Sequence, residues 1–370
     1  MIYFLSFFIV IGLPVFLHEL GHFLAARSVG IKVEKFYVGF NFFGLGLKKK
    51  YKETEYGIGL FPMGGYVKVA GILDESFDGS SKKKKYEFRS KNTLQKIWFL
   101  SAGVIMNFLL SSFIFSFFIF NDGYPEIINE PVINEISNEL NIDNQIKSSP
   151  AASIGLMKDD KIVRINDNPV SSWDQLSQII HNNPNIEMSI IWERKGNLIS
   201  SKITPITTKQ FVDGEIKNIG ILGISPYYNI NKVSLFSAIV KGSQQTISLL
   251  KQISYSLKAL FSGGVSFQDF FGPLYLVKMA GETTETGGMK SLLLLTAMIS
   301  VNLGLINILP IPGLDGGHVF IALIEGLIGR ELPLQVKYGI QSVGFVLIMS
   351  LFILVLYNDC LLYTSPSPRD

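Results

Sequence analysis

The chain has 370 residues, 48% of them hydrophobic and 28 of them Phe, with a formal charge of +3. That length admits two or three ordinary domains, but the apolar residues are gathered into long uncharged runs that a soluble core does not need. The near-balanced charge, with no aromatic interleaving of its basic runs, excludes a nucleic-acid binder. The single cysteine, Cys360, excludes a disulfide framework.

Residues 2–17, 97–121, 292–313 and 338–357 carry no charged side chain. Alone or with its flanks, each reaches the roughly 20 residues that cross a bilayer as a helix. Four spans are expected. The first has no basic leader and no small-x-small cleavage site, and it continues into His18 and Glu19, so it reads as a retained helix.

Residues 31–70 alternate and are punctuated by glycine, which predicts short strands and hairpins. Within them the stretch from Tyr56 to Val67 is apolar enough to dip into the membrane, yet too rich in Gly and Pro for a spanning helix. Residues 27–96 hold 15 Lys and Arg against 7 acids, including Lys48–Lys50 and Lys82–Lys85. The long segment 122–290 is close to balanced. The positive-inside bias then places the first loop in the cytoplasm and the long segment outside.

Residues 130–205 turn soluble in character, with a helix expected over 173–180 and a strand over 188–193. Residues 233–261 have apolar positions at helical spacing, interrupted by Lys241, Lys251 and Lys258. That pattern predicts a helix lying in the interface rather than a span. The ending 360–370 departs from the preceding helix pattern; it reads as non-native adapter sequence and is left out of the fold.

The chemistry starts at His18-Glu19-Leu20-Gly21-His22. On a helix, His18 and His22 share a face and both imidazoles reach one metal ion, while Glu19 sits beside it, able to take a proton from water. Ionisable side chains inside a span are costly and mark function. A tetrahedral site with an open position needs a third ligand, and the candidate is Asp315 in Asn307-Ile-Leu-Pro310-Ile-Pro312-Gly313-Leu314-Asp315-Gly316-Gly317-His318. Pro310, Pro312 and Gly313 break the helix there and free the backbone to turn Asp315 inward. The alternative is a plain helix end that Asp315 caps. Both motifs lie toward the C-terminal ends of their spans, so they meet only if those helices run the same way. One intervening span satisfies this, and a span at 233–261 would not.

HExxH in a first span, with NxxPxPxLDGGH after a later one, resembles the site-2 protease family (peptidase family M50). The soluble segment, with Ser149-Pro-Ala-Ala-Ser-Ile-Gly-Leu156 followed by Asp160-Lys-Ile-Val-Arg-Ile-Asn-Asp-Asn168, resembles a PDZ domain and matches the family's bacterial regulator-of-sigma-E (RseP-like) branch. One departure is Asp159, where the family usually has Gly. The resemblance implies zinc bound by His18, His22 and Asp315, Glu19 as catalytic acid/base, and Asn307 holding substrate near the metal. Gly103-Val-Ile-Met-Asn107 resembles the family's second-span motif, and Gly64-Gly65-Tyr66-Val67 its membrane re-entrant β-element. For Asn107 two readings stay open: a donor to the developing oxyanion, or an interhelical hydrogen-bond partner.

The expected architecture is a polytopic α-helical membrane protein with a membrane-associated β-hairpin region and one inserted extracytoplasmic PDZ domain of α+β type. Residues 1–121 form the first half of the protease core, and 122–220 the PDZ domain with its flanks. Residues 221–290 form an interfacial helix and connector, 291–359 the second half of the core, and 360–370 the non-native tail. The expected location is the bacterial cytoplasmic membrane. The expected substrates are transmembrane proteins, with an anti-sigma type regulator among them, and the domain's own ligand is not legible. Two other classes fit parts of the pattern: an inactive PDZ-bearing scaffold, and a metal-ion transporter, against which no internal repeat is visible.

Overall fold

The computed structural model describes residues 1–40, 46–59, 61–71, 84–142, 145–212, 215–261 and 272–364. Leu60, Lys82, Lys83 and the tail 365–370 lie outside the described residues. Two compact units emerge: Met1–Phe117, Phe236–Ser256 and Val265–Asp370 form the first, and Phe118–Leu235 with Leu257–Gly264 the second.

The first unit opens with helix α1 (Ile2–Ser28), apolar on every side as a helix facing lipid and protein is. Four strands follow: β1 (Val33–Phe40), β2 (Gly46–Tyr51), β3 (Thr54–Gly59) and β4 (Phe61–Val69), arranged β2-β3-β1-β4. Strands β2 and β3 close a hairpin whose tight turn puts Lys52 at φ 52°. Strands β3 and β4, neighbours in the sequence, do not pair with each other. Strand β1 lies between β3 and β4, parallel to the first and antiparallel to the second. The reason is burial: β1 is the most enclosed strand, with Val33, Phe36 and Tyr37 buried, and it takes the central place. Strand β4 is left at the edge, against α1. Ala26, Ile31, Val33, Val69, Phe99 and Leu100 make the shared core, which helix α2 (Thr93–Asp122) completes.

The second unit is built on a conventional apolar core. Its strands are β5 (Tyr124–Ile127), β6 (Ile133–Ile136), β7 (Glu139–Ile142) and β8 (Gln145–Ser148), then helix α3 (Pro150–Ser153). Strands β9 (Lys161–Ile165) and β10 (Asn168–Pro169) come next, then helix α4 (Trp173–His181), β11 (Met188–Arg194) and β12 (Asn197–Ile203). It ends with β13 (Ile206–Val212), β14 (Glu215–Ile221), β15 (Ile224–Pro226) and β16 (Tyr228–Asn231). The helix over 173–180 and the strand over 188–193 stand where the sequence puts them. A sheet ordered β10-β9-β11-β12 buries Met188, Ile190 and Trp192 at every second position of β11. Helix α4, capped by the Ser172 hydroxyl, turns Trp173, Leu176 and Ile180 onto the same core. Asp160, fully buried, accepts two 2.7 Å hydrogen bonds from Arg194 and one from the Met157 N–H. Asp159 stands at φ 71°, which explains the departure noted in the sequence: this position takes a left-handed backbone, where Gly is the default residue.

The chain returns to the first unit through α5 (Leu235–Phe261), which is not one of the four helices among the described residues that are long and apolar enough to cross a membrane. It packs on α2, where Thr246 Oγ1 donates to Ser111 Oγ at 3.3 Å. Helix α6 (Pro273–Ile308) starts earlier than the third apolar run and breaks at Gly288, φ 64°. Before the break it packs along α1, with Ala280 beside Val10 in one core and Ser6 hydrogen-bonded to Thr284 at 2.7 Å. A helix not anticipated from the sequence, α7 (Asp315–Ile328), has 14 residues, too few to span. Helix α8 (Leu334–Thr364) closes the unit and runs past Cys360. The buried Asp359 accepts the backbone N–H groups of Gly272 at 2.7 Å and Leu274 at 3.0 Å, so α8 caps the start of α6.

Candidate metal centre

Helical spacing carries His18 and His22 on one buried face of α1. Their partner comes from 293 residues away. After α6 ends at Ile308, Pro310 and Pro312 forbid a further helical turn, and the chain doubles back into α7. Gly316 and Gly317 make that reversal possible. A Cβ on either would collide with the carbonyls of Ile308, Leu309 or Ile311. The result puts Asp315, first residue of α7, against the histidine pair.

The three ligand atoms form a nearly equilateral triangle. His18 Nε2 lies 3.0 Å from Asp315 Oδ2, His22 Nε2 lies 3.3 Å from it, and the two nitrogens are 3.2 Å apart. Ligands about 2.0 Å from a tetrahedral ion stand about 3.3 Å from one another, so the triangle has the size that zinc requires. Among the described residues this is the one cluster of at least three potential metal ligands. Two nitrogens and one carboxylate oxygen, with a fourth position left open, form a donor set suited to catalytic zinc. His22 is already oriented: its Nδ1–H donates to the Phe99 carbonyl at 2.8 Å, which leaves Nε2 for the ion.

Helix α2 comes close because of glycine. A Cβ on Gly103 would fall 2.5 Å from His22 Nε2 and 2.7 Å from His18 Cε1. One on Gly21 would fall 2.5 Å from the Ala102 carbonyl. Asn107, also on α2, is wholly buried and sets its Nδ2 3.2 Å from His18 Nδ1. Asn307 sits on the other side of that ring, its Nδ2 3.5 Å from His18 Nε2.

Glu19 points to the edge strand. Gly65 has no side chain where a Cβ would fall 2.8 Å from Glu19 Cγ. Gly64 precedes it in β4. Thus Glu19, Asn107, Asn307 and Gly65 gather around His18, His22 and Asp315, while His318 is not part of the triangle. Sequence reasoning missed the Phe99 carbonyl, since a backbone group leaves no residue signature. The spacing of Phe99 and Gly103, four apart on a helix facing HExxH, is the only trace.

A metal centre enclosed by apolar helices, with a carboxylate beside an open position, defines a membrane-embedded metallohydrolase. The match to peptidase family M50 extends over residues 6–351, so the chain belongs to that family and is a zinc metalloprotease of the site-2 protease type. A protein of Clostridium acetobutylicum named a zinc metalloprotease is 31% identical over 348 residues, 94% of each chain. One from Campylobacter jejuni is 32% identical, covering 96% of this chain and 92% of its own. The regulator of sigma-E protease of Escherichia coli is 27% identical, covering 96% of this chain and 97% of its own. Membership of a peptidase family, with Glu19 intact, decides against the transporter and the inactive scaffold.

Proposed function

We propose that this protease cuts peptide bonds within or next to the spanning segments of membrane proteins, with His18, His22 and Asp315 as zinc ligands and Glu19 as its acid/base. The carrying observation is the triangle of 3.0, 3.2 and 3.3 Å assembled from two buried histidines of α1 and the half-buried Asp315 of α7. When bound there, zinc supplies a Lewis acid that acidifies water and polarises a carbonyl oxygen. Glu19 takes the proton of the attacking water and passes it to the leaving amine. Asn307, beside the open face of the triangle, holds the scissile segment by its amide. A helical substrate hides its carbonyls in its own hydrogen bonds and has to unwind. Strand β4, at the sheet edge with Gly65 next to Glu19 and Gly64 preceding it, offers main-chain partners to the extended segment by strand addition.

The physiological reading is the second cut of regulated intramembrane proteolysis in the bacterial cytoplasmic membrane, releasing a transcriptional regulator from an anti-sigma type partner. The four apolar helices and the likeness to the Escherichia coli protease support it. The second unit is read as a PDZ domain on the extracytoplasmic side, filtering substrates by their outer portions. Its helix-and-sheet order supports that reading, as does a cavity of about 360 Å³ between α4 and residues 221–226. His181, at the end of α4, is half-buried and lines that cavity.

Membranes containing matched amounts of wild-type or Glu19→Gln protein, offered a short and a long form of one transmembrane substrate, test the assignment. Wild type should cut the short form, and Glu19→Gln neither. Cleavage by Glu19→Gln at the wild-type rate would remove Glu19 from its role.

A further inference from the structure

The two histidines are held by α2 in parallel ways, and only one of the two is chemically complete. His22 gives its Nδ1–H to a carbonyl, that of Phe99, at 2.8 Å. His18 Nδ1 faces the Asn107 amide nitrogen at 3.2 Å, while Asn107 Oδ1, buried, has no hydrogen-bond partner. A neutral imidazole carries one proton, so a ring that gives Nε2 to a metal has its proton on Nδ1. Two N–H groups would then face each other across 3.2 Å, with an orphaned carbonyl on the same amide. Half a turn about the terminal torsion of Asn107 exchanges the ends, since amide oxygen and nitrogen are alike in shape. That single rotation satisfies Oδ1 and gives His18 the same kind of partner that His22 has.

We infer that Asn107 is the positioning residue of His18: its side-chain carbonyl accepts the Nδ1–H of the ring and aims Nε2 at the zinc. The alternative role, donation to a developing oxyanion, requires Asn107 to face the reacting carbonyl. It instead touches Nδ1, and the place beside Nε2 is taken by Asn307 at 3.5 Å. The amide itself is fixed by its surroundings. Asn107 is 0% exposed, and its backbone carbonyl accepts the Ser300 hydroxyl of α6 at 2.9 Å. A wholly buried amide has no access to water for a missing partner, so its orientation follows the His18 ring it faces.

This inference rests on the proposed ligand set, and the experiment separates the two. Zinc affinity of the full chain in detergent is measured by competition with a chromophoric chelator for wild type, Asn107→Asp, Asn107→Leu and Asp315→Ala. Asp keeps an acceptor oxygen and lacks the amide N–H; Leu keeps the shape and lacks both. Asn107→Leu should weaken zinc binding roughly 10–100-fold, as loss of a ligand's hydrogen-bond partner does, while Asn107→Asp stays within a few-fold of wild type. The histidine ¹⁵N signals of the zinc-loaded protein give a second readout: in Asp and wild type both site rings should be protonated at Nδ1. Wild-type affinity in Asn107→Leu, or a loss in Asn107→Asp as large as in Leu, overturns the inference. If Asn107→Leu does not fold, the Asp variant alone decides, because a purely packing role makes a buried carboxylate the worse replacement. Reduced zinc in Asp315→Ala with Asn107→Leu unchanged sinks the role of Asn107 only. Unchanged affinity in all variants sinks the ligand set as well.

Discussion

The second unit is held together by bulk. Trp192, Ile162, Leu176 and Met188 are almost wholly buried, and Asp160, the deeply buried carboxylate among its described residues, is matched by Arg194. In the membrane unit the closest helix approaches are made by residues with no side chain at all. Gly21 meets the Ala102 carbonyl, Gly103 meets the histidine rings, Gly304 meets Phe108, and Gly316 and Gly317 meet the end of α6. Where lipid tails are as apolar as leucine, burying leucine between helices gains little, and close packing with interhelical hydrogen bonds takes over. That difference explains how a cluster of two histidines and two carboxylates is tolerated among apolar helices. Glycine lets backbone and ring approach closely enough for both histidines to reach their partners.

The largest expected effect tests that contrast at Gly103. Gly103→Val should weaken zinc binding at least as much as loss of a supporting hydrogen bond, on the order of 10–100-fold, because the new side chain occupies the space of both rings. Wild-type zinc affinity in this variant would show that α2 does not shape the centre. Next comes the apolar core. Leu176→Ala should destabilise the second unit by about 2–5 kcal/mol, seen as faster local amide exchange over β9, β11 and α4 in the full chain. Zinc content should not change. Zinc loss with Leu176→Ala would mean that the two units do not divide the labour this way. The smallest effect belongs to Asp159. Asp159→Gly should leave exchange in the second unit nearly unchanged, whereas Asp159→Val should speed it, a β-branched residue at positive φ costing about 1–3 kcal/mol. Equal behaviour of Gly and Val would remove backbone strain as the explanation.

The histidine pair was legible because both residues lie four apart in one helix, so local periodicity alone brings them together. Asp315 was legible only with help. Its carboxylate stood out beside two prolines, but nothing local says that α7 folds back by way of Gly316 and Gly317. The four spans could be read from uncharged length, while the start of α6 at Pro273 could not, since Glu282 and Glu285 hide a helix that packs on α1. The order β2-β3-β1-β4 was missed because the sequence favours pairing neighbours, and β1 displaces β4 from β3 through burial decided in three dimensions. The supports of the site were the least visible. Phe99 acts through its backbone, and Asn107 admits two roles until its contact with His18 Nδ1 is known.

The central claim is that α1 and α7 close one zinc site. Zinc per chain, measured on protein purified in detergent, tests it most directly when Asp315→Ala is compared with Glu19→Gln. The account predicts about one zinc per chain in Glu19→Gln, because that side chain lies beside the ligands without being one, and a large loss in Asp315→Ala. Full zinc content with unchanged affinity in Asp315→Ala would contradict it and return Asp315 to the role of a helix cap.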